Sequence, residues 1–226
     1  MKQRISLELV IRMLTLFPIL GLVLFLPAGT LAYWEAWLFG AVFFACNLGL
    51  TAYLVLKDPA LLERRMRVGP GAEKSLTQKI IMVLAILLFT AAAVIPGLDR
   101  RFGWSELSVP VVLLGDLLVV LAYVGFHRVF RANTYGAATI QVEAAQRVIS
   151  SGPYALVRHP MYSAALLLSL GMPLALGSWW GLLTTLASVP VFVWRLLDEE
   201  QVLHAQLPGY TEYTRRVRWR LVPGLF

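Results

Sequence analysis

Apolar residues gather along the chain in six long blocks with short polar connections between them, over about 13–32, 34–56, 79–97, 108–127, 160–177 and 179–197. A helix needs about 20 mostly apolar residues to cross the hydrocarbon core of a bilayer. The pattern therefore predicts an all-α fold, a polytopic transmembrane helical bundle of about six spans. The last two blocks are short and are separated only by the "GSWW" region, which predicts a tight C-terminal helical hairpin. The first block follows Lys2 and Arg4 and ends in "PAGTLA", as a signal peptide would. It is longer than an ordinary signal core and another span follows at once, so it reads as a transmembrane helix.

The polar segments of any length are about 57–78, 128–158 and 198–226. Positive charge in short loops reports orientation, because cytoplasmic loops carry the excess of Lys and Arg. Lys2, Arg4 and Arg12 precede the first span; Lys57, Arg64, Arg65, Arg67, Lys74 and Lys79 follow the second. Arg128, Arg131, Arg147 and Arg158 lie in the next connection, and Arg195, Arg215, Arg216, Arg218 and Arg220 near the end. Only Arg100 and Arg101 remain for the opposite face, so both termini and all three polar segments are expected in the cytoplasm, at the plasma (inner) membrane. Any water-accessible site would be built from these segments, on the cytoplasmic side. The expected organisation is an N-terminal part, 1–127, with four spans and a cytoplasmic loop, and a core, 128–226, with the hairpin and the C-terminal segment. No internal repeat is visible, which argues against transporters built from inverted repeats.

Composition agrees. The chain is 58% apolar and 15% charged with mean hydropathy +0.70, against about 45–50% and 25% for soluble domains. The net charge of +7 is spread between apolar blocks and follows no nucleic-acid-binding motif. The single cysteine, Cys46, excludes an intrachain disulfide and any site held by several cysteines.

Two polar clusters could carry chemistry. In "GPYALVRHPMY", Pro160 suits the first position of a helix, His159 then stands at its mouth, and Tyr162 follows on the same face. The helix N-terminus offers N–H groups and a positive dipole end. The plainer reading is an interfacial Arg158 and His159 beside an aromatic belt of Tyr154 and Tyr162. In "RLLDEEQVLHAQLPGYTEY", Arg195 and Glu199, and Glu200 and His204, are four residues apart and can meet on a helix face. Asp198, Glu199 and Glu200 could hold a cationic or hydroxyl-bearing ligand, with Tyr210 and Tyr213 supplying aromatic faces. The plainer reading is a snorkelling arginine and a solvated acidic cap. "FRANTYGAATIQVEAAQRVISSG" is too polar to span and could line a pocket with its backbone, ending in a short extended segment and a turn. "DPALLERRMRVGPGAEK" reads as a membrane-surface segment whose Arg64, Arg65 and Arg67 face lipid, and "TRRVRWRLVPGLF" as an interfacial anchor. Asp116, deep in a span, calls for a partner on another helix.

"SGPYALVRHPMY", then "EE" about forty residues later, then "GYTEYTRRV" and "RLVPG", resembles the C-terminal half of the isoprenylcysteine carboxyl methyltransferase family. That family is related to the phospholipid N-methyltransferases, and its members are integral membrane enzymes that use S-adenosylmethionine. The likeness covers roughly residues 130–224, and "DPALLERRMRVGPG" is similar to bacterial members. It implies that His159, Pro160, Met161 and Tyr162 lie against the cofactor, with Tyr154 and the backbone of Gln146, Arg147, Val148 and Ile149 lining the same pocket. It further implies cofactor contact for Glu199 and its neighbour Glu200, with Gln141 a looser match, and a role for Arg195 in engaging the methyl acceptor; Arg195 and Glu199 are the expected catalytic pair. Ala164 stands where the family commonly has Gly, and "LPGY" is shorter than the usual version, so the lid formed there would differ.

The expected function is methyl transfer from S-adenosylmethionine to a lipophilic acceptor arriving from the bilayer. In-line displacement at a sulfonium needs positioning more than acid–base chemistry, and no metal. An arginine can hold a carboxylate by a bidentate contact, so Arg195 favours a prenylcysteine-like carboxylate over an amine. The alternatives are a phospholipid amine acceptor, the related sterol-reductase branch that binds NADPH, and a non-catalytic scaffold or small transporter.

Overall fold

The computed structural model describes residues 2–73, 75–136, 139, 140, 142 and 146–226, with side chains except at 2–8, 10 and 13. Among them the chain is helical and carries no strand: α1 (Lys2–Ala28), α2 (Trp34–Lys57), α3 (Pro59–Met66), α4 (Leu76–Phe102), α5 (Val109–Ala132), α6 (Pro160–Ala175), α7 (Leu182–Gln206) and α8 (Tyr210–Arg216). Each of the six apolar blocks falls on a helix. Three of these helices, α2, α4 and α5, are long and apolar enough to cross a membrane; the apolar stretches Leu14–Ala28 and Pro160–Ala175 are shorter.

Helix ends follow local chemistry. Asp58 accepts from Leu61 N–H at 2.9 Å ahead of α3, and Ser75 caps α4 through Gln78 N–H at 3.1 Å. Gly103 ends α4 in the left-handed region, φ 65°. Pro160 opens α6, as the sequence predicts, and places His159 at its N-cap.

The core joins α1, α2, α4, α5 and α6 through Leu24, Phe39, Phe43, Ala92, Val119, Tyr123 and Met172, with Tyr33 ahead of α2. Leu22, Leu26, Leu87, Phe89, Leu117 and Leu186 stay exposed on the outer faces. On a soluble protein that surface would be costly, but it suits lipid contact. The tightest contact is α5 on α6. A Cβ on Gly115 would stand 2.1 Å from Ala175 N, and one on Gly171 2.9 Å from Gly115 O. Small residues let the two backbones touch, a common device between membrane helices. Ala164 belongs to the same seam, its methyl facing Gly125.

The apolar block ends at 197, but α7 continues to Gln206 and carries Asp198 to His204 on the one continuous helix that the four-residue spacings of Arg195, Glu199, Glu200 and His204 predict. One segment departs from the sequence expectation. The segment expected on the membrane surface instead tucks α3 inward, where Leu61 and Leu62 are buried with Leu54, Val129 and Phe130. Arg64 and Arg65 accordingly turn to protein rather than lipid, donating to the carbonyls of Thr134 and Gly136 at 3.0 and 3.1 Å. Arg67 is exposed beside Glu63, 2.9 Å away. Asp116 is buried in α5, and its carboxylate has no hydrogen-bond partner among the described residues.

Candidate active site

Past the apolar ends of α5, α6 and α7 lies a cavity with about 840 Å³ of empty space including its mouth. One wall comes from described residues after α5, with Asn133, Tyr135 and Gly136 and then Gln146, Arg147, Val148 and Ile149. The turn Gly152–Ala155 contributes Tyr154, and the mouth of α6 contributes His159, Pro160, Met161 and Tyr162. The extension of α7 brings Glu199, and α8 brings Tyr210 and Tyr213. Twelve of the residues singled out from the sequence for the site therefore meet on one surface, whereas Gln141 lies outside the described residues.

Each wall is held by specific contacts. Tyr154 accepts from Asn133 Nδ2 at 3.0 Å, and its carbonyl accepts from the Tyr213 hydroxyl at 2.8 Å. Burial, partly offset by Asn133, pushes the Tyr154 hydroxyl up to about 12, so it stays neutral. Arg65 lies over the Phe130 ring at 4.7 Å and reaches Met161 Sδ at 3.1 Å. Tyr162 donates to Glu199 Oε2 at 2.7 Å, fixing the carboxylate on the wall. Tyr210 and Tyr213 pack with ring centroids 5.7 Å apart, as their three-residue spacing suggests.

Glu200 and Arg195 stand behind this wall. Glu200 Oε1 is 3.0 Å from Arg158 Nη1 and 3.1 Å from His159 Nε2, and Oε2 takes Arg220 Nε at 3.0 Å. Burial alone would raise its pKa; the bond to His159 and the two guanidiniums reverse this and hold the carboxyl below its ordinary range. Glu200 thus fixes His159 from behind, instead of pairing with His204, whose Nδ1 meets Thr211 Oγ1 at 3.1 Å. Arg195 Nη2 meets Glu73 Oε1 at 2.6 Å, and the guanidinium also reaches Tyr162.

Sequence reasoning missed four of these supports. Glu73 and Asn133 gave no signal beyond lying in polar segments. Arg158 and Arg220 read as interfacial. The tail read as an anchor in fact straps the α6 mouth: Arg158 and His159 N–H donate to the carbonyls of Trp219 and Arg220, each at 2.9 Å, and Ser163 Oγ to Leu221 O at 2.6 Å.

The arrangement fits a cofactor of the S-adenosylmethionine kind. Tyr210 is buried on the wall, and its hydroxyl has no partner among the described residues. Glu199 offers a carboxylate for hydroxyl or ammonium groups, and the tyrosine rings offer faces to a cation or a heterocycle.

A family model for phospholipid methyltransferases matches residues 110–207, which span α5 to the end of α7. The chain is 28% identical over 145 residues to protein-S-isoprenylcysteine O-methyltransferase B of Arabidopsis thaliana, covering 61% of this chain and 70% of that protein. It is 29% identical over 136 residues to the delta(14)-sterol reductase TM7SF2 of Mus musculus, covering 54% of this chain and 32% of that protein. With the motifs gathered on one cavity, residues 110–207 resemble the phospholipid methyltransferase family and the wider chain an isoprenylcysteine O-methyltransferase, while the long apolar helices mark a membrane protein.

Proposed function

We propose that the protein transfers a methyl group from S-adenosylmethionine to a lipophilic acceptor that reaches the site from the bilayer. The observation that carries this reading is the convergence of the 146–149 segment, the α6 mouth and Glu199 on one cavity with an unsatisfied tyrosine hydroxyl. The cofactor supplies an electrophilic methyl on a sulfonium; the chain supplies binding and alignment. Glu199, held by Tyr162, binds polar hydroxyl or ammonium groups. Tyr210 donates or accepts one further hydrogen bond, and Tyr154, Tyr210 and Tyr213 provide aromatic surface. His159, braced by Glu200, closes the side next to the strap. Such fixed walls lower the barrier by orientation, the main demand of an in-line displacement.

The acceptor side is marked by an apolar groove between α4, α6 and α7, lined by Ala85, Phe89, Leu168 and Phe192 among others. The Phe192 ring packs against Tyr162 with centroids 6.1 Å apart, so a tail lying in the groove would lead to the back of Tyr162. The distribution of Lys and Arg supports a cavity facing the cytoplasm.

Incubation of the purified protein with methyl-labelled S-adenosylmethionine and a total lipid extract tests this. Mass spectrometry is expected to find a labelled lipid with wild-type protein and none with Glu199→Ala. A folded wild-type protein that labels no lipid overturns the proposal.

A further inference from the structure

A buried charge pair links the acceptor side of the site to a part of the chain outside residues 110–207. Glu73 follows the short turn Pro70–Ala72 ahead of α4, and its side chain is wholly buried; the Arg195 side chain facing it is 8% exposed. The pair stands behind Tyr162, which Arg195 also contacts. Tyr162 in turn faces the cavity on one side and Phe192, at the end of the apolar groove, on the other. Arg195 lies one helical turn beyond Val191 and Phe192 of the groove, so an acceptor whose tail occupied the groove would bring its polar end toward this pair.

The charge there is already balanced. Glu73 Oε1 takes Arg195 Nη2 at 2.6 Å, while Oε2 is buried with no hydrogen-bond partner among the described residues. A carboxylate acceptor would set a second negative group beside Glu73, and the two would compete for one guanidinium. An acceptor ending in an amine or hydroxyl would instead donate to Oε2 and relieve a buried orphan oxygen. The preference for a carboxylate drawn from Arg195 in the sequence treats that arginine as a free cation, which Glu73 makes it not.

We propose that Glu73 sets the charge of the acceptor: by neutralising Arg195 and presenting Oε2, it selects a lipophilic acceptor with a hydrogen-bond-donating polar end over one with a free carboxylate. This rests on the methyltransferase reading above. Glu73 acts here as a specificity-determining residue, and through Arg195 as a positioning one.

The test uses the full chain in detergent, saturated with S-adenosylhomocysteine and titrated with two ligands of equal tail, hexadecylamine and hexadecanoate. The readout is the ratio of their dissociation constants. Wild-type protein is expected to favour the amine by about tenfold, a difference of about one pKa unit's worth of interaction. Glu73→Gln, which uncovers the Arg195 charge, is expected to reverse the order, and Glu73→Asp to keep it. A wild-type preference for the carboxylate, no saturable binding of either ligand, or an order unchanged in Glu73→Gln overturns the proposal. Should Glu73→Gln not fold, the double variant Glu73→Gln with Arg195→Gln is expected to bring the ratio near unity; a retained amine preference overturns the proposal equally. Binding of S-adenosylhomocysteine is measured separately. Its absence in wild-type protein strikes the methyltransferase reading, whereas its presence with an unaltered acceptor order strikes the role of Glu73 alone.

Discussion

Glu200 gathers three cationic or hydrogen-bonding partners, Arg158, His159 and Arg220, on two oxygens. Removing one partner of a buried pair costs about 3–5 kcal/mol, because the charges left behind stay buried. Glu200→Gln is therefore expected to destabilise the protein at pH 7 by about 3 kcal/mol, measured by thermal denaturation in detergent. The folded carboxyl sits below its unfolded value, so its stabilisation is present above the ordinary Glu range, about 4.3, and disappears as pH falls through the lower folded value. The stability of the variant should accordingly depend less on pH in that acidic window than wild type; an equal dependence contradicts the assignment. Tyr210 offers the opposite case. Its hydroxyl has no partner among the described residues, so Tyr210→Phe should leave unliganded stability unchanged or slightly raised while weakening S-adenosylhomocysteine binding several-fold. A loss of stability with unaltered binding would show the hydroxyl to be structural. At this scale the sequence announced His159, Tyr162 and Glu199, because a helix-breaking proline beside a base and an acidic run in an apolar chain are visible by type. Glu73 and Arg220 were not legible: a glutamate in a polar loop and an arginine in a basic tail look alike whether they face water or a buried partner.

At the scale of elements, the α5–α6 seam decides whether the mouth of α6 meets the cavity. Gly115→Ala would force a methyl to 2.1 Å from Ala175 N, backbone that cannot step aside. The expected destabilisation is about 2–3 kcal/mol, the range for overpacking a close contact. Gly49→Ala, with nothing within 4 Å of the new methyl, should be neutral or stabilising through helix propensity. Equal melting temperatures for the two variants would contradict the seam. Apolar blocks foretold all six of the longer helices, and Pro160 marked the start of α6 to the residue. Hydropathy stops where lipid contact stops, but the four-residue spacings of Arg195, Glu199, Glu200 and His204 showed the α7 helix running on past it. The inward tuck of α3 was hidden, since Leu61 and Leu62 suit a membrane surface as well as a protein core.

Across the whole molecule, separate stretches of the chain meet at one end of the bundle. The loop at Glu73, residues 133–136 and 146–149, the α6 mouth, the α7 extension and the strap at 219–221 each supply part of the site or its support. Removing residues 218–226 deletes the acceptors of Arg158 and His159 N–H together with Arg220. Truncated protein is expected to lose cofactor binding and to melt at lower temperature, even though the strap supplies none of the residues on the cavity wall; intact binding would reduce the strap to an anchor. The sequence motifs pointed to a shared cavity, but the strap across it depends on backbone pairing, which leaves no mark in residue type. The most direct measurement is calorimetric titration of the purified full-length protein with S-adenosylhomocysteine. Saturable one-to-one binding that is lost in Glu199→Ala and weakened in Tyr210→Phe is the predicted result. A well-folded wild-type protein that takes up no S-adenosylhomocysteine, or a Glu199→Ala variant that binds it as wild type does, would contradict the account.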